Sequence, residues 1–452
     1  MRKLIYILIT AMMCSCGTYR KYERPDNIHF ELAYRDLDRS NTATIATLSW
    51  REFFSDTCLQ ALIEQGLQNN TDLQIARLKV KEAQAQLQAS RLAFLPSVSL
   101  GGDGTLRSFD GAKASKSYNA GVNADWEIDI SGKKANQLRS DRVEKLRTEA
   151  YQHTVQNQLI STIADSYYTL LMLDRQLEIS RRTLDSWEGT LKTLKALKRT
   201  GDSDESAVNQ AEANLLAAKG SILTLEKEVK NEENSMSSLL GITPQVITRG
   251  KLEQQQFVSE LSVGVPLQLL SNRPDVWQYE LELEQAFYAT NIARAAFYPN
   301  ITLAGSAGWT NNGGAAITNP GGILFNAVAS LVQPLFNRGT NIANLKISKA
   351  RQEETLLSFQ QKLLDAGIEV NDALSQWQTA KSRCEIDRLQ ILALQNAVKN
   401  TRLTMRYGST TYLEVLTAEQ SLLQAELNEI SDKFDEVQGM INLYYSLGGG
   451  IY

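Results

Sequence analysis

The chain has 452 residues, 43% apolar and 22% charged, so it fits neither a disordered polymer nor a bundle of hydrophobic membrane helices. With 47 basic and 51 acidic residues its formal charge is -4, which leaves no basic field to hold a nucleic-acid backbone. Eight prolines are few for this length and favour long regular elements, while two histidines and four cysteines are a thin supply for a metal or nucleophilic site.

Residues 1–15 join a basic start (Arg2, Lys3) to an apolar run and end at Ser15-Cys16-Gly17. The run is too short to span a bilayer and reads as an export signal. A cysteine stands where ordinary signals carry a small residue, as in bacterial lipoprotein signals. Cys16 is the predicted acylated residue, because small Ser15 precedes it whereas bulky Met13 precedes Cys14. Residues 16–58 then form a lipid-anchored arm, extended over residues 26–50.

Residues 59–92 carry helical periodicity (Leu62, Ile63, Leu67, Leu73, Ala76, Val80) and predict one helix of about 50 Å ending ahead of Pro96. Residues 97–130 turn to glycine, serine and alternating apolar positions, the texture of a strand hairpin. Residues 136–199 lack proline and predict a helix approaching about 100 Å, which Gly201 breaks before residues 205–240 return as another. Residues 242–272, with Pro244, Gly250, Gly264 and Pro266, read as a linker containing a short strand. The plan then recurs: helix 274–296, strands 300–335, long helix 341–406, a turn at Gly408, return helix 412–447 and a tail at 449–452.

This recurrence is an internal repeat, residues 59–241 against 273–448. Arg91, Phe94, Pro96 and Leu100 match Arg294, Phe297, Pro299 and Leu303 at an offset of 203. Gly201, Val208, Glu212, Leu215 and Gly241 match Gly408, Val415, Glu419, Leu422 and Gly448 at an offset of 207. Cys58 and Cys384 lie far apart and are expected as buried, unpaired thiols; His29 and His153 have no partner at ligand spacing. No metal or cofactor is predicted.

Between Arg294 and Arg338 there is no charged residue. The stretch is too rich in glycine and asparagine for a spanning helix but suits strands of about ten residues facing lipid on one side. Trp309 and Phe325 lie toward the strand ends, as interfacial aromatics would, and residues 311–322 would form an outer loop. The competing reading is a soluble domain with a buried glycine-rich sheet. Two hairpins supply four strands, and an open sheet cannot sit in lipid because its edges leave backbone groups unpaired. The fold class is therefore mixed α and β, mainly α: a wall of long helices plus a transmembrane β-barrel shared among subunits. Two, three or four copies would give eight, twelve or sixteen strands, and arithmetic does not choose.

These residues resemble the outer-membrane efflux protein family, the TolC-like channels, and especially its lipoprotein branch serving resistance-nodulation-division pumps. The resemblance rests on Cys16 followed by Tyr22-Glu23-Arg24-Pro25, on Trp50, Gly66-Leu67 and Asn70, and on Val263-Gly264-Val265-Pro266 leading to Ser271-Asn272-Arg273-Pro274-Asp275. Arg294-Ala295-Ala296-Phe297-Tyr298-Pro299 and the terminal Leu447-Gly448-Gly449-Gly450 continue it. It implies a homotrimer with a twelve-stranded barrel in outer-membrane lipid and a helical tunnel in the periplasm. It also implies two partners, a periplasmic adaptor and an inner-membrane proton-driven transporter. The implied function is passive conduction of drugs, toxic compounds or metals to the cell exterior, with no catalysis and no cofactor. A protein-secretion duct of the same fold and a structural coiled-coil lipoprotein are the alternatives; the coiled coil would not need uncharged strands.

Chain order puts the turns at Gly201, Asp202 and Ser203 and at Gly408, Ser409 and Thr410 at the end of the helices remote from the strands. Similarity to the family makes them adaptor-contact tips, although a glycine there also serves as a helix C-cap. Glu414 aligns with an acid that lines the family's periplasmic aperture, and the family's second acid falls on Thr417. Pro96 and Pro299 mark the helix-to-strand junctions.

Overall fold

The scarcity of proline shows directly in the length of the helices. In a computed structural model, residues 21–24, 48–201, 203–255, 273–310, 323–407 and 411–450 are described. The first half runs α1 (Trp50–Phe53), α2 (Thr57–Asn69), α3 (Thr71–Leu92), β1 (Ser97–Arg107), β2 (Ser115–Ile128), α4 (Lys133–Thr200) and α5 (Glu205–Leu239). A 3-10 turn at Leu252–Gln254 precedes the second half: α6 (Pro274–Ala295), β3 (Asn300–Thr310), β4 (Ile323–Val332), α7 (Thr340–Arg406) and α8 (Tyr412–Ser446). The helices α4 and α7 are unbroken over 68 and 67 residues. No helix among the described residues is long and apolar enough to cross a membrane.

One local expectation changes. The helix expected over residues 59–92 is two helices, because Asn70 adopts extended ψ and uses its side chain twice. Its Oδ1 accepts from the Leu73 N–H (3.0 Å), capping α3, while Nδ2 donates to the Leu239 carbonyl (3.0 Å). Ser49 and Glu52 form a capping box that starts α1 at Trp50, where the extended stretch was expected to end. In the linker, residues 242–255 contain the 3-10 turn and no strand; residues 256–272 lie outside the described residues.

The chain divides into two compact units, and both halves of the repeat contribute to each. One unit comprises residues 1–29, 78–150 and 277–361, the other residues 30–77, 151–276 and 362–452.

The first unit holds a four-stranded antiparallel sheet in the order β1-β2-β3-β4. Each half of the repeat supplies one hairpin, and β2 pairs with β3 to join them. Its helical segments pack through Val143 and Ala150 of α4 against Leu281 and Tyr288 of α6. Ser90 of α3 donates to Asp141 of α4, and buried Asn291 of α6 donates to Asn136 of α4 (3.5 Å). Tyr22 lies edge-on to Phe287 (5.8 Å between centroids), and Arg24 forms a forked ion pair with Glu280.

The second unit has the larger core. Ile63, Leu73, Ile163, Tyr167, Leu170, Met236, Ile430 and Leu443 are all buried in one cluster. Phe53 stacks on Tyr444 (4.2 Å, 6° between planes), whose hydroxyl donates to the Leu48 carbonyl (2.8 Å). Asp56 is a polar hub, accepting from Cys58 N–H (2.7 Å), the Tyr167 hydroxyl (2.6 Å) and Gln255 Nε2 (2.7 Å). Arg249 ties Asp174 (2.6 Å) to Glu233 (2.7 Å). Cys58 and Cys384 are free but half-buried rather than fully buried, and burial pushes the Cys384 thiol up to about 12.

Candidate functional site: a two-faced sheet and the paired helix turns

Side chains alternate across a strand, so the register assigns every position to a face. Leu100 pairs with Val122, Val122 with Ala307, and Ala307 with Phe325. On the same face stand Val98, Trp126, Leu303, Trp309, Ile323 and Leu331. The opposite face carries Ser99, Asp103, Asn119, Asn123, Asp125, Thr302, Ser306, Asn326 and Ser330. There Asn119 donates to Asp103 (3.0 Å).

The apolar face is bare: Leu100 is 84% exposed and Phe325 78%. In water such a surface would be a hazard, and it is the surface that a lipid-facing sheet requires. Both edges, β1 and β4, lack a further strand partner among the described residues. Strands β2 and β3 approach very closely at the Gly121–Gly308 pair. A Cβ on Gly308 would stand 2.4 Å from the Ala120 carbonyl, and one on Gly121 2.7 Å from that of Ala307, so a side chain at either position would force the strands apart.

Pro96 and Pro299 stand at equivalent junctions, just after α3 and α6 and just before β1 and β3. Each preceding helix has its last carbonyls capped from the following long helix. Lys134 donates to the Ala93 carbonyl (2.9 Å) and Asn341 to that of Ala296 (3.0 Å). Trp126 donates to the Phe94 carbonyl (2.8 Å), fixing the strand to the helix end.

In the second unit the α4–α5 turn has Gly201 at φ +84°, the left-handed conformation that favours glycine. Half-buried Ser203 and the N-cap Asp204 follow, Asp204 accepting from Ala207 N–H (2.7 Å), and Lys198 pairs with Glu205 across the turn. Trp187, Leu191 and Leu194 of α4 pack with Val208, Ala211 and Leu215 of α5 and with Leu416 of α8. Glu414 and Thr417, three residues apart on α8, are both exposed, whereas Val415, Leu416 and Glu419 are buried. The Thr417 hydroxyl bonds back to the Leu413 carbonyl (2.9 Å). Cys16, Asp202, Gly408, Ser409 and Thr410 lie outside the described residues.

Two ionic clusters join residues that no local motif connects. Arg402 of α7 donates to the buried Glu419 of α8 (2.6 and 2.9 Å) and to Ser186 of α4 (3.0 Å). Arg273, 1% exposed, donates to both oxygens of Asp275 (3.0 and 2.7 Å), to Glu369, and to the Ser446 carbonyl (2.9 Å). Lys362 closes on Asp275 at 2.8 Å. Burial alone would raise the Asp275 carboxyl, but Arg273 and Lys362 overcome that and hold it at about 2. The signal for the first cluster was present in the repeat: Lys195 and Glu212 stand 207 residues before Arg402 and Glu419 and are themselves paired at 3.6 Å.

A sheet with one lipid-suited face and one polar face, carried on paired long helices, defines the class of a membrane channel. The chain belongs to the outer membrane efflux protein family, which matches residues 62–242 and 265–449. It is 29% identical over 460 residues to the cation efflux system protein CusC of Escherichia coli, covering 99% of this chain and 98% of that one. It is 28% identical over 457 residues to the probable outer membrane lipoprotein SilC of Salmonella typhimurium, with 99% and 98% covered. A crystal structure of CusC superposes with a TM-score of 0.86 at 28% identity over 95% of this chain and 99% of that one. The protein is accordingly an outer-membrane efflux channel of this type.

Proposed function

We propose that the protein is the outer-membrane duct of a tripartite efflux system, assembled as a homotrimer whose four strands per chain close a twelve-stranded barrel. The observation that supports this most is the two-faced sheet with open edges: its apolar face needs lipid, its polar face suits a water-filled lumen, and its edges need strands from further copies. Small molecules enter from a periplasmic adaptor fed by an inner-membrane proton-driven transporter. Relatives named for cation efflux and as a lipoprotein favour small toxic solutes, metal cations among them, over a protein cargo, and favour an anchor on acylated Cys16.

In this reading the turns at Gly201, Asp202 and Ser203 and at Gly408, Ser409 and Thr410 meet the adaptor. Glu414 repeats around the three-fold axis as a carboxylate ring at the periplasmic aperture, attracting cations and repelling anions, with Thr417 one turn further on. The domain plan assigns residues 1–15 to the signal, 16–58 to the anchored arm, 59–241 and 273–448 to the repeats, 242–272 to the linker and 449–452 to the tail. The test is the Glu414→Ala variant in planar bilayers. Higher single-channel conductance and weaker cation selectivity are expected, and unchanged values would remove Glu414 from the aperture. In cells, deletion of the gene is expected to sensitise to compounds in a drug and metal panel.

A further inference from the structure

The second half of the repeat buries a pair of acids that the first half lacks. Asp387 of α7 and Asp432 of α8 are 8% and 2% exposed, and their carboxyl groups lie in hydrogen-bonding contact. Asp432 Oδ1 accepts from Arg383 (2.9 Å), which stands one helical turn before Asp387 on α7. No described residue donates to the buried Oδ2 of Asp387. Two ionised carboxylates in contact repel, and a buried acceptor left without a donor is costly, so the arrangement is complete only with a proton or a cation. At the 207-residue offset Asp387 and Asp432 correspond to Ser180 and Leu225, and Arg383 and Cys384 to Gln176 and Leu177. Ser180 is buried too, so the equivalent place on α4 is filled without an ion. The plan shared by the two halves therefore does not call for acids here.

We infer that Asp387 and Asp432 form a proton-binding site: in mildly acidic medium one proton sits between them and fastens α7 to α8 within each chain. The proton turns one carboxyl into a donor, so the pair bonds instead of repelling, and the single negative charge that remains is balanced by Arg383. A metal ion is the other group two acids could hold, but no set of three metal-ligating side chains converges among the described residues. The surrounding charges bear on the same equilibrium. From α8, Glu429 adds to the negative field at Asp387, and Asp435 faces Asp432. Glu436 and Lys433 face the neighbouring Cys384 with opposite effects. From α4, Gln176 reaches Ser431 as a neutral donor, and Arg182 is engaged by Glu426. Burial, then the contact with Asp432, raises the Asp387 carboxyl to about 6. Folding therefore favours its protonated form: the stabilisation is fully present below about pH 4 and is lost as the pH rises through about 6. These contacts lie inside one chain, so the site does not depend on how many copies assemble.

The test is urea denaturation of the full-length mature protein in detergent between about pH 4 and about pH 7.5. Asp387→Asn, whose amide donates as the protonated carboxyl would, should unfold at higher urea than the parent at about pH 7.5, by a shift worth roughly tenfold or more in the folding equilibrium. The gap should close toward about pH 4. Asp387→Ser, which installs the residue of the first half, should lose the same pH-dependent part, whatever its packing does to the midpoint as a whole. Glu429→Gln removes a nearby charge without removing the shared proton and should keep the parent's pH dependence. Parallel pH profiles of the parent and Asp387→Asn, or a profile flattened equally by Glu429→Gln, would overturn the site. So would a parent midpoint at about pH 7.5 that magnesium chloride raises while leaving Asp387→Asn unmoved, because the bound group would then be a metal ion.

Discussion

The two halves of the repeat close their corners with the same backbone and different chemistry. In the first, Asn70 reaches the Leu239 carbonyl at the end of α5, and Gly241 follows at φ +65°. In the second, at offsets of 203 and 207, Arg273 reaches the Ser446 carbonyl at the end of α8, and Gly448 follows at φ +87°. The paired turn bonds are also shared: Gly241 to Ser238 and Ile242 to Ser237 correspond to Gly448 to Tyr445 and Gly449 to Tyr444. A side-chain donor that satisfies a helix-end carbonyl and a left-handed glycine that turns the chain are what this corner requires. Charge is not required, since the neutral amide suffices in the first half. The second half has a buried guanidinium there with two carboxylate partners, Asp275 and Glu369, and that raises the cost of losing it.

The largest expected effect follows from that difference. Arg273→Met leaves Asp275 and Glu369 without their guanidinium partner and should cost about 3–5 kcal/mol. Asn70→Ala loses one cap and one bridging bond and should cost about 1–2 kcal/mol. Urea denaturation of each variant in detergent measures both, and equal losses would erase the distinction between the corners. Next come the clamps near the turns. Arg402→Ala strands the buried Glu419 carboxylate and should cost about 2–3 kcal/mol. Lys195→Ala breaks an exposed pair at 3.6 Å and should cost under about 1 kcal/mol.

The corner of the second half should also be acid-sensitive. The Asp275 carboxyl is held below its usual range, so its contribution is fully present above about pH 4 and is lost as the pH falls through about 2. The loss amounts to about 2 kcal/mol and should be absent from Asp275→Asn, as denaturation midpoints across that window will show. The smallest effect separates the two glycines. A Cβ on Gly241 would stand 2.8 Å from the Asn69 carbonyl, whereas one on Gly448 would meet Arg273 Cγ at 3.3 Å. Gly241→Ala should therefore cost about 2 kcal/mol and Gly448→Ala about 1.

Much of this architecture was legible in the residues themselves. The alternation Val98-Ser99-Leu100 and the uncharged stretch from Arg294 to Arg338 announced strands with one greasy face, and the register puts those apolar positions together. The offsets between the halves located equivalent junctions at Pro96 and Pro299 before any contact was visible. What escaped was non-local. Nothing near Arg273 in the sequence says that its partner is a carbonyl 173 residues away. The break at Asn70 had a local signal in Asn69-Asn70-Thr71-Asp72, four weak helix formers with an N-cap residue among them, but the apolar periodicity runs through it, and the second bond that holds the kink goes to the distant Leu239 carbonyl. The burial of Glu419 depends on which side of α8 meets its neighbours, which periodicity alone leaves ambiguous in a helix with apolar residues on more than one side.

The central claim is that the sheet is a fraction of a lipid-embedded barrel, with the Ser99 side toward water and the Leu100 side toward lipid. Single-channel recording of Ser99→Cys and Leu100→Cys chains in a Cys58→Ser/Cys384→Ser background, before and after a charged, water-soluble thiol reagent, tests it directly. The account predicts a stable conductance in both, cut by the reagent in Ser99→Cys and untouched in Leu100→Cys. No conductance, or block at Leu100→Cys with Ser99→Cys unaffected, would contradict it.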